Sequence, residues 1–101
     1  MKLVQEQLEE VFKRLFQGEN IPPAEYRVYV NPAGYGGRYY VQVVWDGFDP
    51  MSVTSRQKWI WDRLRKVVSE DLRQHLSLVL ARSAKEFVVA DELAYRADDR
   101  Y

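Results

Sequence analysis

The sequence predicts one α+β domain in the order helix, hairpin, helix, strand, terminal helix, built on a three-stranded mixed sheet. Three observations carry that prediction. Apolar residues recur at helical spacing near the N-terminus and again after residue 50. Two runs rich in β-branched and aromatic residues flank a stretch of glycine and proline, which is the pattern of a hairpin. About thirty residues then separate the second run from a third, enough for a helical crossover that returns the chain parallel. A chain of 101 residues that is 47% apolar has the material for one core and the length for one domain.

Leu3, Val4, Leu8, Val11, Phe12, Leu15 and Phe16 place one apolar face on a helix over residues 2–17, with Gly18 ending it. Glu6, Glu9 and Glu10 precede Lys13 and Arg14, an order that suits the helix dipole. Pro22 and Pro23 keep the next residues out of helix. Strands follow at Tyr26 to Val30 and Tyr39 to Trp45, with the turn between Asn31 and Gly37. Alternation sends Tyr26, Val28, Val30 and Tyr39, Val41, Val43, Trp45 toward the helices. The other face takes Arg27, Tyr29, Tyr40 and Gln42, joined by Ser77. Asp49 or Ser52 caps a second helix that begins at residues 51–53 and runs to Val68. At 100° per residue, Val53, Ile60, Trp61, Val67 and Val68 fall near Leu64, while Trp59 projects away beside Arg63 and Lys66. Ser69 to Gln74 is a polar connection or short helical turn, and Leu76 to Ala81 a strand with Leu76, Leu78 and Leu80 on one side. Ala84 to Leu93 reads as helix, and the closing ADDRY as a short charged end.

Composition narrows the function classes. There is no cysteine, so the chain supplies no thiolate ligand, disulfide or thiol nucleophile. Fifteen basic and fifteen acidic residues cancel, so any binding to nucleic acid or an anionic membrane needs a local patch. Charges interrupt every apolar run before it reaches membrane-spanning length. The expectation is a soluble, cytoplasmic protein with no membrane and no small-molecule substrate. With one histidine and no nucleophile elbow, no catalytic residues are assigned, and the expectation is that the protein is not an enzyme.

Four features remain as candidates. His75 is the only histidine, and its imidazole can ligate a metal only if a partner completes the site; the alternative is a structural histidine bonded to backbone. Arg56, Lys58, Arg63, Arg65 and Lys66 stand against Asp62 alone on the second helix, a cluster that suits phosphates or a solvated face. Trp59 beside Arg63 is either an interface anchor or is covered by the C-terminal segment. Tyr29 and Tyr40 on an open sheet face suit base stacking, although tyrosine is also a good strand residue. Gly34-Tyr-Gly-Gly37 spells GxxG between two strands, which reads as a turn.

Two stretches and the order of elements resemble the BolA-like family, an αββααβ domain with helices packed on one face of the sheet, related to the class II KH fold. Phe48, Ser52, Arg56, Lys58 and Ile60 match in type the family's turn and Arg-His-Arg segment. His75-Leu-Ser-Leu resembles the opening of its last strand, and Ser83, Ala84, Glu86 and Phe87 its closing Thr-Pro-x-Glu-Trp. Asn31-Pro-Ala-Gly is similar to a family hairpin loop. The resemblance covers residues 1–90 as the domain and leaves 91–101 as a charged C-terminal tail. It implies a non-enzymatic adaptor in iron-sulfur or iron handling or regulation, docking a monothiol glutaredoxin through Arg56, Lys58, Trp59, Arg63 and Lys66. His75 would approach a [2Fe-2S] cluster shared with that partner, the chain binding no cofactor alone. Pro50 replaces the turn glycine, Gln57 the central histidine, and the hairpin loop has neither histidine nor cysteine. Two alternatives stay open: a nucleic-acid-binding regulator using Arg56, Lys58, Arg63, Lys66, Tyr29 and Tyr40, and a BolA-like fold that has lost the metal chemistry and binds a lineage-specific partner.

Overall fold

The computed structural model describes residues 3–87. The expected helix end at Leu93, the ADDRY segment and the 91–101 tail lie outside the described residues. Helix α1 (Val4–Gly18) is followed by a 3-10 turn at Pro23–Glu25, then by strands β1 (Tyr26–Pro32) and β2 (Tyr39–Trp45). A second 3-10 turn at Asp46–Phe48 leads into α2 (Val53–Val67), the short α3 (Glu70–Arg73) and β3 (Leu76–Arg82). Residues 84–87 form a further helical turn. The sheet order is β1-β2-β3, with β1 antiparallel and β3 parallel to β2. The α+β class and the mixed three-stranded sheet are therefore as the sequence predicts.

Local chemistry sets the element ends. The Ser52 hydroxyl accepts the Ser55 N–H at the start of α2, and the Ser69 hydroxyl accepts the Leu72 N–H at the start of α3. Asn20, with φ of 59°, takes the left-handed conformation just after α1. The core joins Leu8, Phe12, Leu15 and Phe16 of α1 to Val30, Val41, Val43 and Val79 of the sheet and to Ile60 and Leu64 of α2. Helices α1 and α2 cover one face of the sheet.

Side-chain amides and one guanidinium close both sheet edges. Gln5 Nε2 donates to Val30 O on the outer side of β1 at 2.8 Å. On the outer side of β3, Gln57 Nε2 donates to Val79 O at 2.9 Å and Arg56 Nη1 to Ala81 O at 3.3 Å. Carbonyls satisfied this way no longer offer acceptors to a foreign strand.

Three expected orientations are corrected. Val53 is 74% exposed, because it opens α2 ahead of Arg56, the first residue of the helix to enter the interior. Trp59 does not project away from the core: its ring packs against Phe16, Trp45 and Phe48 at centroid distances of 5.8, 5.0 and 5.6 Å. Helix α2 meets both α1 and the Asp46–Phe48 turn, so its buried arc is wider than one stripe. The leucines of β3 do not share a side. A bulge opposite Tyr39 and Tyr40 keeps Leu76 and Val79 in the core, while Leu78, 51% exposed, and Leu80 stand beside Tyr40 and Gln42 on the opposite face.

Candidate docking surface

His75 joins α3 to β3 and is held by its backbone on both sides: its N–H donates to Leu72 O at 3.0 Å, and its carbonyl accepts the Tyr39 N–H at 2.7 Å. The ring lies 2.9 Å, through Nδ1, from Gly37 O. A carbonyl only accepts, so Nδ1 carries the proton, and in the neutral ring Nε2 holds the lone pair. Gly36 and Gly37 both have positive φ, 58° and 62°, which gives the hairpin loop the tight course that brings this carbonyl to the ring. A second tie joins loop and strand, Tyr35 Oη to Ser77 Oγ at 3.1 Å. His75 is half-buried, and Tyr35 of the hairpin loop is exposed. The two readings of His75 thus meet in one residue: one nitrogen is bound to backbone, while Nε2 has no hydrogen-bond partner among the described residues.

The remaining predicted partner-binding residues do not gather around His75. Arg56 is 7% exposed and holds the fold together. Its Nε donates to Phe48 O at 2.9 Å and Met51 O at 3.1 Å, and its Nη1 meets both carboxylate oxygens of Glu86 at 2.7 and 3.0 Å. It sits at the Ala81 end of β3, and His75 at the other end, a separation of roughly 20 Å along a seven-residue strand. Lys58 is exposed, two residues on from Arg56. Arg63 donates through Nε to Glu19 at 2.7 Å and lies 4.2 Å over the Trp59 ring. Lys66 is exposed at a cleft shared with Arg14, Glu19 and Arg63. Trp59 is partly buried as an anchor for the aromatic cluster, and Arg56 likewise has a structural task.

The nucleic-acid constellation fares similarly. Arg56, Arg63 and Arg65 pair with Glu86, Glu19 and Asp62, leaving Lys58 and Lys66 without an acidic partner among the described residues. Tyr29 is stacked on Phe87 at 5.3 Å and 3°, which occupies its face, and Tyr40 is half-buried. Leu78 and Leu80 make the sheet face opposite α1 and α2 more apolar than the sequence suggests.

Sequence reasoning missed a junction that was written in the residues. Ser83 and Glu86 form a reciprocal capping box: the Ser83 N–H donates to Glu86 Oε1 at 2.9 Å, and the Glu86 N–H points to Ser83 Oγ at 3.4 Å. Asp46 Oδ1 accepts the Ala84 N–H at 3.0 Å. The Ser83 N–H holds the Glu86 carboxyl below its ordinary range, with Arg56 adding to the effect against a smaller opposing contribution from desolvation. The S-x-x-E spacing was the available signal. Gln57 bridges Val79 O and the Trp61 Nε1–H and so has a structural task.

Among the described residues no cluster of three or more histidine, aspartate or glutamate side chains is placed to hold a metal ion, and no helix is long and apolar enough to cross a membrane. Comparison with protein-family models, with curated proteins and with solved structures returned no match.

Proposed function

We propose that the chain is a non-enzymatic adaptor of BolA-like type that docks a monothiol glutaredoxin at the His75 end of the sheet, in iron-sulfur handling or regulation. The observation that supports this reading is the ring of His75: Nδ1–H bound to Gly37 O, and Nε2 with its lone pair and no described partner, at the end of the sheet where exposed Tyr35 is tied to Ser77. A backbone carbonyl that accepts one ring N–H and so fixes the tautomer is the usual companion of a ligating imidazole. A [2Fe-2S] cluster takes cysteine and histidine ligands, and this chain offers one imidazole and no thiolate, so the partner must bring the thiolates. When bound, such a cluster would supply electron-transfer or sensing chemistry. The residues of this chain hold one ligand in place and present the docking rim around it.

The hairpin loop, residues 31–39, contains no histidine or cysteine, and this favours a second reading in which the same rim docks a lineage-specific partner without sharing a metal. One titration separates the two. Mixing the protein with cluster-loaded monothiol glutaredoxin is expected to give co-elution and a changed visible spectrum, with the spectral change lost in His75→Ala. Co-elution with an unchanged spectrum keeps the glutaredoxin and removes the shared cluster, whereas no co-elution selects the second reading. A spectral change that survives His75→Ala removes the assigned ligand.

A further inference from the structure

We propose that the cleft between the C-terminal turns of α1 and α2 binds a phosphate monoester in its dianionic form, held by Arg14, Arg63 and Lys66. The inference does not use the reading of His75 and stands or falls separately from it.

Helical spacing sets the lining of the cleft. Arg14 and Gly18 stand four residues apart on α1, and Arg63 and Lys66 three apart on α2, so each pair shares one side of its helix. Where the helices meet, these residues and Glu19 surround a space of about 230 Å³, with Leu15 and Val67 as its apolar part. That is smaller than the roughly 300–1,000 Å³ of pockets that enclose a drug-sized ligand, and it suits one compact group. Gly18 keeps the space open, since a Cβ built on it meets no atom within 4 Å.

Arg63 supplies the fixed element. Its Nε donates to Glu19 Oε1 at 2.7 Å, its Nη1 donates to Trp59 O at 3.0 Å, and the Trp59 ring lies 4.2 Å away on one face. The guanidinium is therefore held in one orientation with its side chain 30% exposed, while Nη2 has no hydrogen-bond partner among the described residues. An ordered fork with free N–H groups loses little freedom on pairing with a phosphate oxygen. Arg14 and Lys66 are exposed, and neither has an acidic partner among the described residues, so both can close on an anion without giving up an ion pair. Asp62, one turn before Lys66, lies 3.8 Å from Arg65 instead.

Charge selects the ligand. Three cations and one carboxylate leave two positive charges in the cleft. A phosphate monoester carries about 1.5 to 2 negative charges at neutral pH, whereas each phosphodiester of a nucleic acid carries one. The carbonyls at the end of α1, which would repel an anion, are engaged within the chain: Phe16 O accepts the Glu19 and Ile21 N–H groups, and Gln17 O accepts that of Asn20.

The test is amide NMR of the full chain at constant ionic strength, titrated with inorganic phosphate, with O-phosphoserine and with a single-stranded oligonucleotide lacking terminal phosphates. Saturable shifts centred on residues 14–19 and 63–67 are expected with the first two probes and not with the third. Tighter binding of O-phosphoserine assigns the phosphate to a larger molecule, and tighter binding of inorganic phosphate assigns the free ion. Arg14→Gln and Lys66→Gln are each expected to weaken binding about two- to fivefold, while Lys58→Gln, on α2 but outside the cleft, leaves it unchanged. Gly18→Glu puts a carboxylate into the recess where a side chain fits, and is expected to abolish saturation while amides away from the cleft keep their positions. Three results would overturn the proposal: no saturable shift in the unsubstituted chain, equal weakening by Lys58→Gln, or an oligonucleotide bound at the same amides as tightly as O-phosphoserine.

Discussion

Arg56 shows how a residue type can be read correctly while its task is missed. Five cations in one helical segment look like an electrostatic surface, yet Arg56 faces inward, where its planar fork satisfies Phe48 O, Met51 O and Ala81 O together with Glu86. Truncating it leaves buried carbonyls unpaired, so Arg56→Ala is expected to cost about 3 kcal/mol of stability in urea unfolding, whereas Lys58→Ala stays within about 0.5 kcal/mol. A small loss at Arg56 would mean that water replaces the guanidinium. Glu86 is its half-exposed partner, at 42%. Its folded-state pKa lies below the unfolded one. The stability it confers is therefore fully present above the ordinary carboxylate range and is lost as pH falls through the lowered value. Glu86→Gln should lower the urea midpoint at pH 7 and differ less from the parent at pH 3. A pH-independent difference would point to capping geometry in place of charge.

At the scale of elements, the periods of the sequence located α1, the hairpin and β3 to within a residue or two, because each buries a regular apolar face. Helix α2 was harder to orient. Its wheel placed Trp59 far from Leu64, but the Asp46–Phe48 turn folds Trp45 and Phe48 against that flank, and a large indole reaches them. A wheel centred on one residue cannot anticipate a second packing partner supplied by a loop. Nor does strict alternation anticipate the β3 bulge, which moves Leu78 and Leu80 to the other face. The aromatic cluster also explains a glycine: a Cβ on Gly47 would overlap the Trp45 indole, which Phe16, Phe48 and Trp59 hold in place. Gly47→Ala is expected to destabilise by about 1–3 kcal/mol and to perturb the near-UV circular dichroism. An unchanged near-UV spectrum would show that the indole sits elsewhere.

For the whole molecule, most positions that carry the family resemblance turn out to hold the fold. Phe48 and Ile60 are core, Ser52 caps α2, Arg56 closes an edge of β3, and Ser83 and Glu86 form the junction after it. The tasks of Arg56, Ser83 and Glu86 emerge only from the fold, whereas Ser52 and Ile60 are legible because they repeat general rules of capping and burial. The candidate site is less so, because it depends on one imidazole whose meaning comes from a carbonyl 38 residues away in sequence and from whatever docks outside the chain. The same logic predicts how the molecule unfolds. Phe16 of α1 stacks on Tyr26 of β1 at 4.3 Å and touches Trp45 of β2 and Trp59 of α2, so one cluster joins helices to sheet. Neither α1 nor α2 can leave the hairpin without opening it. Tryptophan fluorescence and far-UV circular dichroism should therefore report a single urea transition with one midpoint. Trp59→Ala should shift both signals by the same amount, a loss of about 3 kcal/mol. A fluorescence change that preceded the loss of helix would mean that α1 or α2 detaches first, and the cluster would then be a contact between separable parts.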